Sequence, residues 1–253
     1  MKKLLSVVLI FLSGCAVKQP TPKYQLDKQA NQALIQSGKP VEIFYHDDQF
    51  VVMDLGGSQA ANVLGILGPV GLLMGMTADA AHKLDFKARA ERRSEEFSKL
   101  VAENFPDESI NQMFARNVAD LIAKEGRGVK VTKVTRPSGG DNLAASVSKD
   151  MEPTAGYMQL ILRLSAGYGA RSATDTYKPV TIIEYALKDE DGTALMSRFF
   201  DRFYGESDKT FLTYPGLLED YKGARGELSA RLNYWSEPLY TEIFHFPDQP
   251  TAK

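Results

Sequence analysis

Cysteine is almost missing from this 253-residue chain, with Cys15 the only one. A single thiol excludes an internal disulfide, a paired-cysteine redox motif and a multi-thiolate metal site. Histidine is nearly as scarce. His46, His82 and His245 stand far apart, and none has a second histidine at metal-ligand spacing, so no metal or cofactor is expected. An excess of one charge is lacking too: 30 basic against 32 acidic residues leave a formal net charge of -2. That balance argues against nonspecific nucleic-acid binding, which needs concentrated positive charge. There is no GxSxG or HExxH. Gly139 and Gly140 lack the lysine and hydroxyl partners of a phosphate-binding loop. Glu184 sits in a strand pattern without an identifiable catalytic partner, and the chain is expected not to be an enzyme.

What is present begins at the N-terminus. Lys2 and Lys3 precede the apolar run Leu4 to Leu12, and the small residues Ser13 and Gly14 stand directly before Cys15. The run is too short for a permanent membrane-spanning helix, which needs about 20 residues, but it suits the apolar region of a secretory signal. Leu12-Ser13-Gly14-Cys15 resembles the lipobox of bacterial lipoproteins. The resemblance implies a signal peptide over 1–14, cleavage before Cys15, and diacylglycerol on its thiol with a further acyl chain, palmitate among the usual ones, on the new amino group. Several chains, at about 0.8 kcal/mol per buried methylene, hold far more firmly than one. Ala16 in place of aspartate implies an outer-membrane address facing the periplasm. The mature chain would start at Cys15 and carry 28 basic and 32 acidic residues, once Lys2 and Lys3 are gone.

Residues 15–40 read as the lipidated N-terminus and a tether punctuated by Pro20, Pro22 and Pro40, with a short helix over Asp27 to Gln36 whose shared face carries Ala30 and Leu34. Val41 to Tyr45 and Phe50 to Met53 are strand-like and flank the polar His46-Asp47-Asp48-Gln49, which predicts a hairpin with a solvated turn. Residues 56–81 are glycine-rich and apolar, and from Ala60 to Ala78 no charge occurs. Gly65, Gly68, Gly71 and Gly75 are candidate helix-contact or membrane-contact positions, Gly71 and Gly75 forming a small-xxx-small pair. The segment is compatible with a buried or subunit-contacting helix, with insertion against or into the outer membrane, or with a mobile apolar loop that binds a partner or lipid.

The rest alternates helix and strand. Asp79 to Asn104 predicts a charged helix with the stripe Phe86, Ala90, Arg93, Phe97 and Leu100, Arg93 its odd member, and a basic end at Lys83, Lys87, Arg89, Arg92 and Arg93 that faces solvent or anionic headgroups. A second helix starts at Pro106-Asp107-Glu108 and runs to 125, then a strand over Val129 to Val134. Tyr157 to Tyr168, Tyr177 to Leu187 and Thr193 to Tyr204 predict three antiparallel strands. Leu217 to Glu237 predicts one amphipathic helix, Tyr240 to Phe246 a short last element, and 247–253 a frayed tail. The expected fold is one α+β domain over 41–246, a mostly antiparallel sheet with packed helices, similar in element order to uncharacterised envelope lipoproteins with an α/β body.

The function expected is that of a lipid-anchored, non-enzymatic component of an envelope assembly or transport system. Its partners would be the outer membrane through Cys15 and either another copy or an envelope protein. The alternatives are a module binding a small apolar or lipidic ligand and, third, a hydrolase with a dispersed active site.

Overall fold

The computed structural model describes residues 21–54, 80–137, 148–170, 175–203 and 209–246; along 80–87 and 200–203 only the backbone path is considered. Cys15, Gly65, Gly68, Gly71 and Gly75 lie outside these residues, as do the leader and the tail.

The chain is α+β, with a six-stranded mixed sheet. Helices α1 (Lys23–Ala30) and α2 (Gln32–Ile35) lead into β1 (Val41–Tyr45) and β2 (Phe50–Asp54). Then come α3 (Ala80–Asn104), α4 (Ile110–Lys124), β3 (Val129–Lys133), β4 (Met158–Ala170), β5 (Lys178–Lys188) and β6 (Ala194–Phe203). The chain closes with α5 (Tyr214–Glu219), α6 (Tyr221–Tyr234) and α7 (Ser236–Phe244). The sheet order is β3-β1-β4-β5-β6, and β2 also pairs with β4. The long ladders β4–β5 and β5–β6 are antiparallel, as the sequence predicts. The pairings of β1 with β3, β1 with β4 and β2 with β4 are parallel, which it does not predict.

The expected hairpin is therefore corrected. β1 pairs with Met158–Ile161 and β2 with Ala166–Ala170, both parallel to β4, so β1 and β2 are two lengths of one interrupted strand. His46 to Gln49 bulge out between them instead of reversing the chain. The backbone of β2 passes so close to β4 that a Cβ on Gly167 would sit 1.8 Å from the Val51 carbonyl oxygen, so only glycine fits there.

Alternation along β4 sorts two unequal faces. Leu160, Leu162, Leu164, Ala166 and Tyr168 enter the main core, which the helices cover. Ile161 joins Phe44, Val134 and Ala186 in a small second cluster on the opposite face. There Arg163 and Glu184 are cross-strand neighbours and form a buried ion pair, with Nε donating to Oε2 at 2.7 Å.

Helix ends depart from the sequence reading where side chains cap them. Helix α4 starts at Ile110 and not at Pro106, because Ser109 Oγ accepts from Gln112 N at 3.0 Å. The single helix expected over 217–237 is three. Thr213 caps α5, Asp220 interrupts the path and caps α6, and Pro238 falls in the first turn of α7. Near the start, Ile35 is fully buried while Leu34 is 44 % exposed, reversing the face expected for the first helix.

Candidate functional site

The two ends of the chain that flank residues 55–79 are fastened together at the end of β2. Asp54, the last residue of that strand, is only 4 % exposed. Arg89 and Arg93, one helical turn apart on α3, reach it together. Arg89 Nη2 donates to Oδ1 at 2.8 Å and Arg93 Nη1 to Oδ2 at 2.6 Å. Arg93 Nη1 also lies 2.6 Å from the Tyr177 hydroxyl oxygen, and its guanidinium sits 4.9 Å from the Tyr214 ring centroid. The Tyr214 hydroxyl donates to Glu96 at 2.8 Å. Burial, then that carboxylate, push its pKa above the usual phenol value.

Below the clamp, α3 lies along the open edge of β2. Ser94 Oγ accepts from Val52 N at 2.8 Å and supplies a partner that a neighbouring strand would otherwise provide. Phe97 packs edge-on against Phe50 with centroids 5.4 Å apart. Ala90 and Phe97 are buried as the stripe predicts, but Val101 is buried in place of Leu100, which is only half-buried. Arg93, the odd member of the stripe, helps Arg89 and Ser94 tie helix to strand.

The interruption in the first strand is held by a second set of polar side chains. Asp48 accepts from Ser109 Oγ at 2.7 Å and from the backbone N–H groups of Ile110 at 2.9 Å and Asn111 at 3.0 Å. A carboxylate thus caps the positive end of α4 from another element. Asn111 Nδ2 donates to the carbonyls of His46 at 3.1 Å and Asp47 at 3.2 Å. Arg136 donates to the carbonyl of Leu164, on the stretch of β4 that neither β1 nor β2 covers. Burial, and then the neighbouring Arg163, lower its pKa to about 10.

His46 is not in a solvated turn; it is 1 % exposed. Its Nδ1 lies 3.2 Å from the Val134 carbonyl, so that nitrogen carries the proton, and no partner meets Nε2 among the described residues. Burial drives its pKa down to about 4. Asp47, by contrast, is exposed and pairs with Lys133 at 3.0 Å. His245 caps the C-terminal end of α7, and His82 lies on the α3 backbone path. Glu184, for which the sequence identifies no catalytic partner, pairs with Arg163.

Among the described residues no three His, Cys, Asp or Glu side chains gather at metal-binding distance, and no helix is long and apolar enough to cross a membrane. An open groove of about 950 Å³ runs between α1, α4 and α7, with Lys28, Asp120, Lys124, Glu237 and Glu242 among its walls. Sequence reasoning missed Asp54 and Asp48, because each acts on a helix that follows it by dozens of residues. The spacing of Arg89 and Arg93 was the one available signal. No family model matches the chain, and no curated protein matches it either.

Proposed function

We propose that this chain is a lipoprotein anchored through Cys15 to the periplasmic face of the outer membrane, where it serves as a non-enzymatic component of an envelope assembly or transport system. The observation that carries the reading is the leader, with basic head, short apolar run and Leu12-Ser13-Gly14-Cys15. The body adds support. The uncharged stretch 60–78 lies between Asp54 and α3, and the Asp54–Arg89–Arg93 clamp gives it a rigid base. A fastened base suits a segment used for contact with membrane, another copy or an envelope partner. The ligand-binding alternative calls for a concave, mostly apolar pocket. The groove beside α1 is open and carries charges of both signs, which favours the anchored-component reading.

Replacing Cys15 by serine in the native host is the test. The variant is expected to lose the acyl mass at its N-terminus and to leave the membrane fraction or persist as precursor. Unchanged membrane attachment of Cys15→Ser would overturn the proposal.

A further inference from the structure

We infer that the groove between α1, α4 and α7 binds a short peptide with a free amino group and a free carboxylate, the amino group held by Asp120 and Glu237 and the carboxylate by Lys124. The inference goes beyond the lipid anchor proposed above and does not depend on it.

Three helices form the trough, and each turns one stripe into it. Asn117, Asp120, Leu121 and Lys124 recur at steps of three and four along α4, and Glu237 and Thr241 stand one turn apart on α7. Helix α1 is the opposite bank. Asn117 Nδ2 donates to Asn233 Oδ1 at 3.1 Å, and further along both segments the Tyr240 hydroxyl donates to Glu125. Helices α4 and α7 therefore run side by side in the same direction. Asp120 is level with Glu237, and Lys124 lies a turn beyond both.

The charges on these walls are not equivalent. Lys28 donates to the carbonyls of Glu242 at 2.6 Å and His245 at 2.5 Å, and so caps α7. Glu242 pairs with Arg198 and accepts from the Tyr185 hydroxyl at 2.5 Å. Beside the groove Lys23 pairs with Asp27, Arg231 with Glu227, and Arg127 with Glu125. Arg116, a turn before Asp120, does not line it. Asp120, Glu237 and Lys124 remain, and among the described residues none of the three has a partner. Lys124 follows Asp120 by four residues, the spacing at which a helix closes such a pair, yet the two stay apart. Two carboxylates thus stand toward one end of the trough and an ammonium toward the other.

Neutral groups in the same walls match a peptide backbone. Ser236, 4 % exposed at the head of α7, lines the groove, and its hydroxyl meets no partner among the described residues. Most buried hydroxyls have one. Asn117 uses an N–H on Asn233 and Gln25 one on Tyr24, which leaves each amide its carbonyl oxygen as an acceptor for backbone N–H. Leu121, Pro238 and Tyr234, the last 72 % exposed, offer apolar surface to small side chains. The helix rises about 6 Å from Asp120 to Lys124, and the reach of the side chains lengthens that toward the span of two or three extended residues. A volume of about 950 Å³ holds such a ligand with both ends of the trough open. An apolar ligand would leave the three charges unanswered, and a neutral sugar has no charge to offer them.

The test is calorimetric titration of the protein, purified from its host in nonionic detergent, with trialanine and with its N-acetyl and C-amide forms. Trialanine is expected to bind with a dissociation constant of about 0.1–1 mM, and blocking either end should weaken it about fivefold or more. Lys124→Gln should bind trialanine and its amide equally. The double variant Asp120→Asn, Glu237→Gln should bind trialanine and its acetyl form equally. All three positions are exposed or line an open groove, so unchanged thermal melting is expected of both variants. No binding at about 10 mM, affinity indifferent to blocking, or variants that discriminate as the parent does would overturn the inference. So would a trimer of N-acetylglucosamine that binds where trialanine does not. The anchor is scored separately by the mass of the N-terminus: a bare Cys15 refutes the lipid and leaves the groove standing.

Discussion

The two halves of the sheet solve the same backbone problem by different means. In β4–β5–β6 the N–H and C=O groups pair strand to strand along long antiparallel ladders, with one irregularity at Leu187/Lys188. In the parallel half the first strand breaks after Tyr45, and side chains take over. Arg136 satisfies a carbonyl of β4, Ser94 satisfies the edge of β2, Asn111 holds the bulge, and Asp48 and Asp54 each fasten a helix. A ladder distributes its strength over many equivalent bonds. An interrupted strand concentrates it in a few polar residues, so single substitutions in that half should be felt disproportionately.

The largest effect is expected at Asp54. Asp54→Asn removes the charge that faces two guanidiniums, and breaking a buried ion pair costs about 3–5 kcal/mol. Arg89 keeps considerable solvent contact, so a loss of about 3 kcal/mol in urea unfolding is expected. A loss below about 1 kcal/mol would show that the clamp is an ordinary surface contact.

His46 gives a pH dependence of defined sign. Its folded pKa of about 4 lies below the ordinary 6.5, so between those values the unfolded chain binds more protons. Stability due to this group is complete above pH 6.5 and falls as the solution is acidified toward pH 4. At pH 5 the loss is roughly 2 kcal/mol relative to pH 8. His46→Gln should flatten the pH profile over this window, whatever its effect on stability at pH 8. A profile as steep as the parent's would place the titration elsewhere.

Asp48→Ala should be milder. It deprives the first N–H groups of α4 of their acceptor, and loss of such a cap costs about 1–2 kcal/mol. The signature to look for is faster hydrogen exchange at Ile110 and Asn111 with the β4–β5 amides unchanged. Equal acceleration in both halves would erase the contrast between them.

Legibility followed the range of the interaction. Helix α4 and strands β4, β5 and β6 were readable because their periodicity is local. The bulge at His46-Asp47-Asp48-Gln49 was not, since a polar break between two apolar runs is the same local signal for a reversal and for an interruption. The partner that decides between them, β4, lies more than a hundred residues further along. The burial of His46 was hidden for the same reason, its neighbours Val134 and Arg136 arriving from the chain just after β3. Arg93 was visible as a polar intruder in an apolar stripe, without its partner Asp54.

Composition and periodicity alone determined that this chain forms helices and long strands around an apolar core, and which residues bound the uncharged stretch. Tertiary structure alone decided that β1 and β2 run in line, that α3 closes on the end of β2, and that two aspartates serve helices distant in sequence. Local propensity acts over a few residues, whereas the pairing of a buried charge depends on what the rest of the chain brings within 3 Å of it.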